Sequence, residues 1–300
     1  MRKENEFNIW NSYNASESEL LKDVSMELAV LKSLDVFTSA HVQGVAKKVG
    51  AMCKKMKYSY DDTKECVIAA YLHDIGKIKI PPSILQKDDS LSPEEYEIIK
   101  KHTVYGYELC MEYKAFKQYA SSVRAHHENL DGTGYPDGLK EDEIPEMAKL
   151  LKVADVYDAL VQKRQYKDVT KSSEALRMMS NDVKNGKMSR YYFEVLVLVI
   201  LDELYEKNTA YELTILKYQN ELAVLRELEK IYKEIYDKGL NSKLEKKLKK
   251  FELAPGYDMS TNASMILNKQ KLLDRDKAMY ESIQEEIKEI KGLKKYKMND

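Results

Sequence analysis

Cysteine, proline, glycine and tryptophan are all scarce in this 300-residue chain, and each scarcity excludes something. The three cysteines, Cys53, Cys66 and Cys110, are an odd number without C-x-x-C spacing. That argues against a disulfide scaffold and against a structural thiolate zinc site, and leaves ordinary buried thiols in a reducing cytosol. Six prolines and eleven glycines, with 33% of residues charged, exclude collagen-like and low-complexity chains and favour a helix-rich fold. Lys+Arg number 49 against 50 Asp+Glu, a net charge of −1 with no basic surplus, so bulk nucleic-acid binding has no electrostatic basis. The longest apolar run, Tyr191 to Leu201, is interrupted by Glu194 and is too short to cross a bilayer. The polar N-terminal stretch MRKENEFNIW lacks the apolar segment of a signal peptide, and the expected compartment is the cytoplasm.

Histidine is rare too, but it is not scattered. The five are His41, His73, His102, His126 and His127, all in the first half of the chain. A set so clustered reads as one site. Asp74 adjoins His73, and Asp155 stands in the apolar run of Leu150, Leu151, Ala154, Val156 and Ala159. A carboxylate there costs several kcal/mol (on the order of 3–5) unless it is paired or metal-bound. Imidazoles and carboxylates without thiolates suit first-row divalent metals such as Mn, Fe or Zn. Seven such side chains exceed what one ion needs and fit two ions that share a bridging carboxylate, an arrangement suited to phosphoester displacement.

The periodicity predicts helices throughout. A Ser16-x-x-Glu19 box opens a first helix through Leu34, a break follows at residues 35–39, and a second helix carries His41, Val45, Val49, Met52 and Met56 on nearly one face. Asp61 is expected to cap a third helix that runs to His73-Asp74, with Gly76 freeing the backbone and Ile78–Pro82 leaving in extended form. Ser92-Pro93-Glu94-Glu95 starts a helix carrying Tyr96, Ile99 and His102, and another spans about 115–127. The loop of residues 128–145 holds three glycines. Pro145 opens the helix of Asp155, where Asp158 is a partner for a ligand or a cap, and Ser172 begins a further helix stopped by Asn185-Gly186.

The residues HDIGK (73–77) and HHENLDGTGYP (126–136), continued by DGLKEDEIP (137–145) and VADVYDALVQKRQYK (153–167), resemble the HD-GYP family, cyclic di-GMP phosphodiesterases of the HD phosphohydrolase superfamily. The resemblance covers about residues 25–185. It implies an all-α HD-type helical bundle with a C-terminal helical extension, and hydrolysis of cyclic di-GMP to pGpG and on to GMP. By resemblance His41, His73, Asp74 and Asp155 hold one metal, and Asp74 bridges to a second held by His102, His126 and His127. The expected cofactors are two divalent ions, Fe or Mn, with a hydroxide between them as nucleophile. Lys77 stands near that nucleophile and the scissile phosphate, Gly134 and Tyr135 beside the substrate, and Arg164 and Lys167 face its phosphates. Some members carry a Glu one turn before the first histidine that helps hold a third metal. Phe37 occupies that place here, which predicts two ions. Alternatives stay open: another cyclic dinucleotide such as cyclic GMP-AMP, or a weakly active module that acts as a binding protein.

These readings divide the chain into an N-terminal arm with the start of the first helix (1–24), a catalytic domain (25–187) and a helical extension (188–300). In the extension Tyr211, Tyr218, Leu225 and Tyr232 recur every seven residues with Ile215, Leu222, Leu228 and Ile235 between them, a stripe that fits either a coiled coil or a helical hairpin. A homodimer through these helices, and a diguanylate cyclase or other signalling partner, are the partner expectations beside the cyclic dinucleotide.

Overall fold

The computed structural model describes residues 36–87, 89–162, 170–251, 253 and 257–295, and these contain helices and no strand. They form two compact units, one up to Ile200 and one from Leu201. The all-α expectation holds. Among the described residues no helix is long and apolar enough to cross a membrane.

In the first unit the elements are α1 (Val36–Lys55), α2 (Tyr60–Leu72), a 3-10 turn (Ile75–Lys79), α3 (Pro82–Leu85), α4 (Pro93–Lys100), α5 (His102–Glu112), a second 3-10 turn (Lys117–Tyr119), α6 (Ala120–Ala125), a third (Glu141–Glu143), α7 (Glu146–Val161), α8 (Ser172–Lys184) and the start of α9 (Arg190–Lys238). α1 packs on α2 and α7, α5 on the first 3-10 turn and α6, and α8 on α7. The apolar stripes of the sequence form the core: Val42, Val45, Val49 and Met52 of α1, Val67 and Ala70 of α2, and Leu150, Leu151, Val153 and Ala154 of α7 are all buried. The three cysteines are free and buried. Burial pushes the Cys110 thiol up to about 12, as expected of unreactive thiols.

Several local expectations change. Residues 36–39, expected as a break, are already helical, while the first expected helix, through Leu34, lies outside the described residues. Ser59, not Asp61, caps α2: its backbone is extended and its hydroxyl accepts the Asp62 N–H at 3.0 Å, which leaves Asp61 in the first turn. The stretch after His73-Asp74 is a 3-10 turn through Lys79; Ile80 is extended as expected, and a short helix opens at Pro82. The helix of Ser92 does form with its reciprocal Ser92–Glu95 box and Pro93 in the first turn, but it ends at Lys100, so that His102 opens a new helix. The helix expected over 115–127 is reduced to a 3-10 turn and the six residues of α6.

Gly76 does not adopt the left-handed backbone that would make it a conformational release. Its role is close approach. A Cβ at this position would lie 1.9 Å from the His102 carbonyl oxygen and 2.4 Å from the Gly106 nitrogen, so the turn after Asp74 rests directly on the backbone of α5.

In the second unit α9 continues to Lys238, and α10 (Ser242–Leu248) and α11 (Met259–Lys295) follow. The side chain of Asn262 on α11 is fully buried and donates to the Leu225 carbonyl of α9, Arg226 donates to Gln270, and Gln284 donates to Asn208. Leu222 and Leu228 of the expected stripe are buried, as are Leu273, Ile283, Ile287 and Ile290 of α11.

Gly76→Ala is expected to force the turn and α5 apart at a cost of about 1–3 kcal/mol. Guanidinium unfolding reads this as a lowered midpoint at unchanged slope; a wild-type midpoint would show that the contact relaxes freely.

Candidate metal centre

The candidate donors come from five places in the chain. His41 is on α1, His73 ends α2 with Asp74 next, His102 opens α5 directly after α4, His126 ends α6 with His127 next, and Asp155 lies in the middle of α7. All are buried except His127, whose side chain keeps 23% of its exposure.

Three of the histidines use the same local device. A helix leaves its last carbonyls without intrahelical partners. Beyond the end of α2, His73 places Nδ1 2.6 Å from the Ala70 carbonyl; beyond α4, His102 places Nδ1 2.7 Å from that of Ile99; beyond α6, His126 places Nδ1 2.6 Å from that of Val123. A carbonyl oxygen only accepts, so each Nδ1 carries the proton and each Nε2 presents a bare lone pair. These lone pairs converge. The Nε2 atoms of His102 and His126 face each other at 3.4 Å with no proton to share, and the buried Nε2 of His73 has no hydrogen-bond partner among the described residues. Unprotonated nitrogens in so dry a pocket lack compensation for lost hydration. A divalent cation supplies it, and the residues present fit one.

The carboxylates complete the pocket. Asp74 turns its two oxygens in different directions: Oδ2 lies 3.3 Å from His73 Nε2 and 3.8 Å from His41 Nε2, whereas Oδ1 lies 3.4 Å from His102 Nε2. Asp155 Oδ1 is 2.9 Å from His41 Nε2 and Oδ2 is 3.7 Å from His127 Nδ1. Donor atoms of His41, His73 and Asp155 lie within 4.8 Å of one another, as do those of His102, His126 and His127, and those of His73, Asp74 and His126. The structure thus brings all seven together. Lys77 reaches Asp74 Oδ2 at 2.5 Å.

Electrostatics follow from this packing. Burial works to raise the Asp74 and Asp155 carboxyls, but Lys77 and the histidines beside Asp74, and His41 and His127 beside Asp155, outweigh it and hold both well below the usual carboxylate range. Burial and the neighbouring imidazoles hold His126 far below its ordinary value, so it stays neutral and able to ligate. Burial likewise lowers His102 and His127. His41 behaves oppositely. Burial works to lower it, yet its hydrogen bonds to Asp155 and Asp158 raise it to about 9.

That second carboxylate is a feature the sequence left open. Asp158 Oδ2 sits 2.8 Å from His41 Nδ1, which fixes the ring so that Nε2 points at Asp155 and the other donors. The space for it exists because residue 44, one turn along α1 from His41, is glycine: a Cβ there would stand 2.1 Å from Asp158 Oδ1.

The loop after His127 is locked by Glu128, a residue given no role from the sequence. Its buried carboxylate accepts the consecutive N–H groups of Asp137, Gly138 and Leu139 at 2.7, 3.1 and 3.1 Å. Arg124 adds a two-pronged pair to Asp137, and Leu130 and Leu139 pack on Ala125, Ile144 and Ala148. Gly134 is pressed against the start of the loop, where a Cβ would fall 2.2 Å from the Asn129 nitrogen and 2.4 Å from the Glu128 Cα. The fold thereby sets the Tyr135 ring 4.8 Å from that of His127, tilted by 30°. Lys152, also unmarked by the sequence, donates to the His127 carbonyl at 3.4 Å. Arg164 and Lys167 lie outside the described residues.

With this geometry in place, comparison with known proteins gives a consistent answer. The HD domain family matches residues 15–190, more than half of the chain. The chain belongs to the HD domain family, and its paired HDIGK and HHENLDGTGYP segments make it a member of the HD-GYP group. A cyclic di-GMP phosphodiesterase of Thermotoga maritima is 41% identical over 145 residues, covering 48% of this chain and 39% of that protein. The cyclic di-GMP phosphodiesterase response regulator RpfG of Xanthomonas campestris is 35% identical over 167 residues, 55% of this chain and 44% of that one. The 3'3'-cGAMP-specific phosphodiesterase 2 of Vibrio cholerae is 42% identical over 137 residues, 44% of this chain and 26% of that one. The chain therefore spans less than half the length of these relatives.

Gly44→Ala is expected to push the Asp158 carboxylate off His41 and to weaken divalent-metal binding by about 10- to 100-fold, the range for loss of a ligand's supporting hydrogen bond. Calorimetric titration of the metal-free protein with Mn(II) measures it. Wild-type affinity would show that Asp158 does not hold the ring.

Proposed function

We propose that this chain is a metal-dependent phosphodiesterase that hydrolyses a cyclic dinucleotide, cyclic di-GMP first among them, to the linear dinucleotide and on to the mononucleotide. The observation that carries the reading is Asp74, whose two oxygens address two separate groups of histidines. His41, His73, Asp74 and Asp155 are assigned to one divalent ion, and Asp74, His102, His126 and His127 to the other, Fe or Mn by the mixed nitrogen and oxygen donors. Such a pair supplies Lewis acidity at the phosphoryl oxygens and an activated water.

The remaining roles belong to the chain's own groups. The Nδ1–H bonds to Ala70, Ile99 and Val123 hold three imidazoles in the ligating tautomer, and Asp158 does so for His41. Lys77 keeps a positive charge beside Asp74, with a side chain 20% exposed, placed to oppose negative charge gathering on the phosphoryl oxygens. Tyr135 and Gly134 belong to the wall against which the substrate lies, and Arg164 and Lys167 are assigned to its phosphates. Hydrolysis adds water across one P–O3′ bond and opens the ring; a second cut releases GMP.

The 3'3'-cGAMP-specific relatives support a second substrate, since the same donors serve any 3′,5′ phosphodiester and only the base differs. A binding module freed from catalysis would tolerate loss of donors, whereas here all seven and Lys77 are present together. Pairing through the tail, with a second copy or with a diguanylate cyclase, is a separate proposal that light scattering on the full chain reads; a monomer at all concentrations removes the homodimer.

Anaerobically purified protein is expected to carry about two Fe or Mn per chain and to convert cyclic di-GMP to pGpG, with metal and products counted on the same sample. Asp74→Ala should lose both the metal and the turnover. Undiminished hydrolysis in that variant would sink the shared-carboxylate site.

A further inference from the structure

One chain of contacts leads outward from the candidate metal centre past Tyr135, to residues given no role so far. The Tyr135 ring lies against His127, and the Lys100 ammonium stands 5.7 Å from the centre of that ring and 5.5 Å from the centre of the Tyr96 ring. Tyr96 and Lys100 are one turn apart on α4, whose start is fixed by the Ser92–Glu95 box and Pro93 and whose end leads directly into His102. The helix that delivers a candidate ligand to one metal thus also carries an aromatic ring and a cation to the rim of the site.

The residues do not behave as core. Tyr96 is 48% exposed, so its ring is not held there by packing alone. Lys100 pairs with Glu97 at 2.5 Å, but the Glu97 side chain is 65% exposed and such a pair contributes little to stability. It is a resting partner that an incoming anion can replace. An exposed aromatic ring with a cation over it, and a second ring on the metal side, match what a nucleotide presents, a flat π-surface next to a phosphodiester.

We infer that Tyr96 and Lys100, continuing Tyr135, form a nucleotide-binding rim: a purine of the cyclic dinucleotide stacks on Tyr96, and Lys100 meets the phosphodiester beside it. The inference rests on the hydrolase reading above and names the residues that select a dinucleotide over a simple diester. Loss of a stacking ring predicts a KM increase of roughly tenfold or more.

The test is steady-state hydrolysis by the full metal-loaded chain, with metal content checked in every sample. The substrates are cyclic di-GMP, 3'3'-cGAMP and bis(p-nitrophenyl) phosphate, a diester without a nucleobase. Tyr96→Ala and Lys100→Met should raise KM for the cyclic dinucleotide about tenfold or more with a much smaller change in kcat. Their loss on the base-free diester should be at least about tenfold smaller. Tyr96→Phe, which keeps the ring, should restore KM to within about threefold of wild type. An unchanged KM in Tyr96→Ala, or equal losses on both kinds of diester, overturns the rim. A metal-loaded wild-type protein that cleaves only the base-free diester, or nothing, overturns the substrate reading and the rim with it. Failure of the reading therefore shows in the wild type, and failure of the rim shows only in the variants.

Discussion

Everything in the first unit depends on where three imidazole protons go. His73, His102 and His126 each follow the end of a helix and return Nδ1–H to a carbonyl of that helix's last turn. A single bond does two things in each case. It gives a last-turn carbonyl a side-chain donor, and it fixes the tautomer so that Nε2 is bare. Because the ring is held by its own helix, its aim follows from the direction in which the helix ends. The bundle needs only to bring three helix ends together, and the lone pairs meet. Asp74 and Asp155 enter the same space from the turn after α2 and the middle of α7, and they tolerate burial because they face those rings and Lys77.

Such convergence requires backbones closer than side chains normally allow. Gly76 lets the turn after Asp74 rest on the first carbonyl of α5, which brings His73-Asp74 to His102. Gly44 opens the room in which Asp158 reaches His41. Gly134 lets the loop fold onto Glu128 and Asn129, and this fold is what sets Tyr135 against His127. In each place the missing Cβ positions a neighbouring donor and contributes nothing itself. Packing at these points is therefore coupled to site geometry more tightly than in the remainder of the core, where exchange of similar apolar volumes is tolerated.

Much of this was legible in the sequence, for identifiable reasons. Five histidines confined to one half of the chain, with an aspartate at 155 among apolar neighbours, mark a site before any fold is known. The start of α4 was legible because cap, proline and acids are all local signals. What escaped depends on contacts between distant segments. Residue 44 and Asp158 are on helices far apart in sequence, and no pattern in either states that a carboxylate passes over a glycine. Glu128 lay within the recognised motif, yet its partners are three main-chain N–H groups whose arrangement exists only once the loop has turned back. The capping of α2 by Ser59 rather than Asp61 reflects a choice between two competent residues two positions apart, decided by which has the extended backbone. Tyr96 read as one more apolar position on a helix; only its exposure in the fold sets it apart.

The division of labour between centre and rim follows from the same geometry. On the proposed reading the metal donors are short side chains, three of them fixed at helix ends, and they present the same face to any phosphodiester. They cannot distinguish guanine from adenine, because the base lies several ångströms along the sugar from the phosphorus. Discrimination must come from groups at that reach, and α4 and the loop of Tyr135 are the described elements that extend from the ligands outward. On the proposed reading, a side-chain change at Tyr96 or Lys100 alters substrate preference with little effect on the ligands, since α4 holds His102 through the Ile99 carbonyl and not through those two side chains.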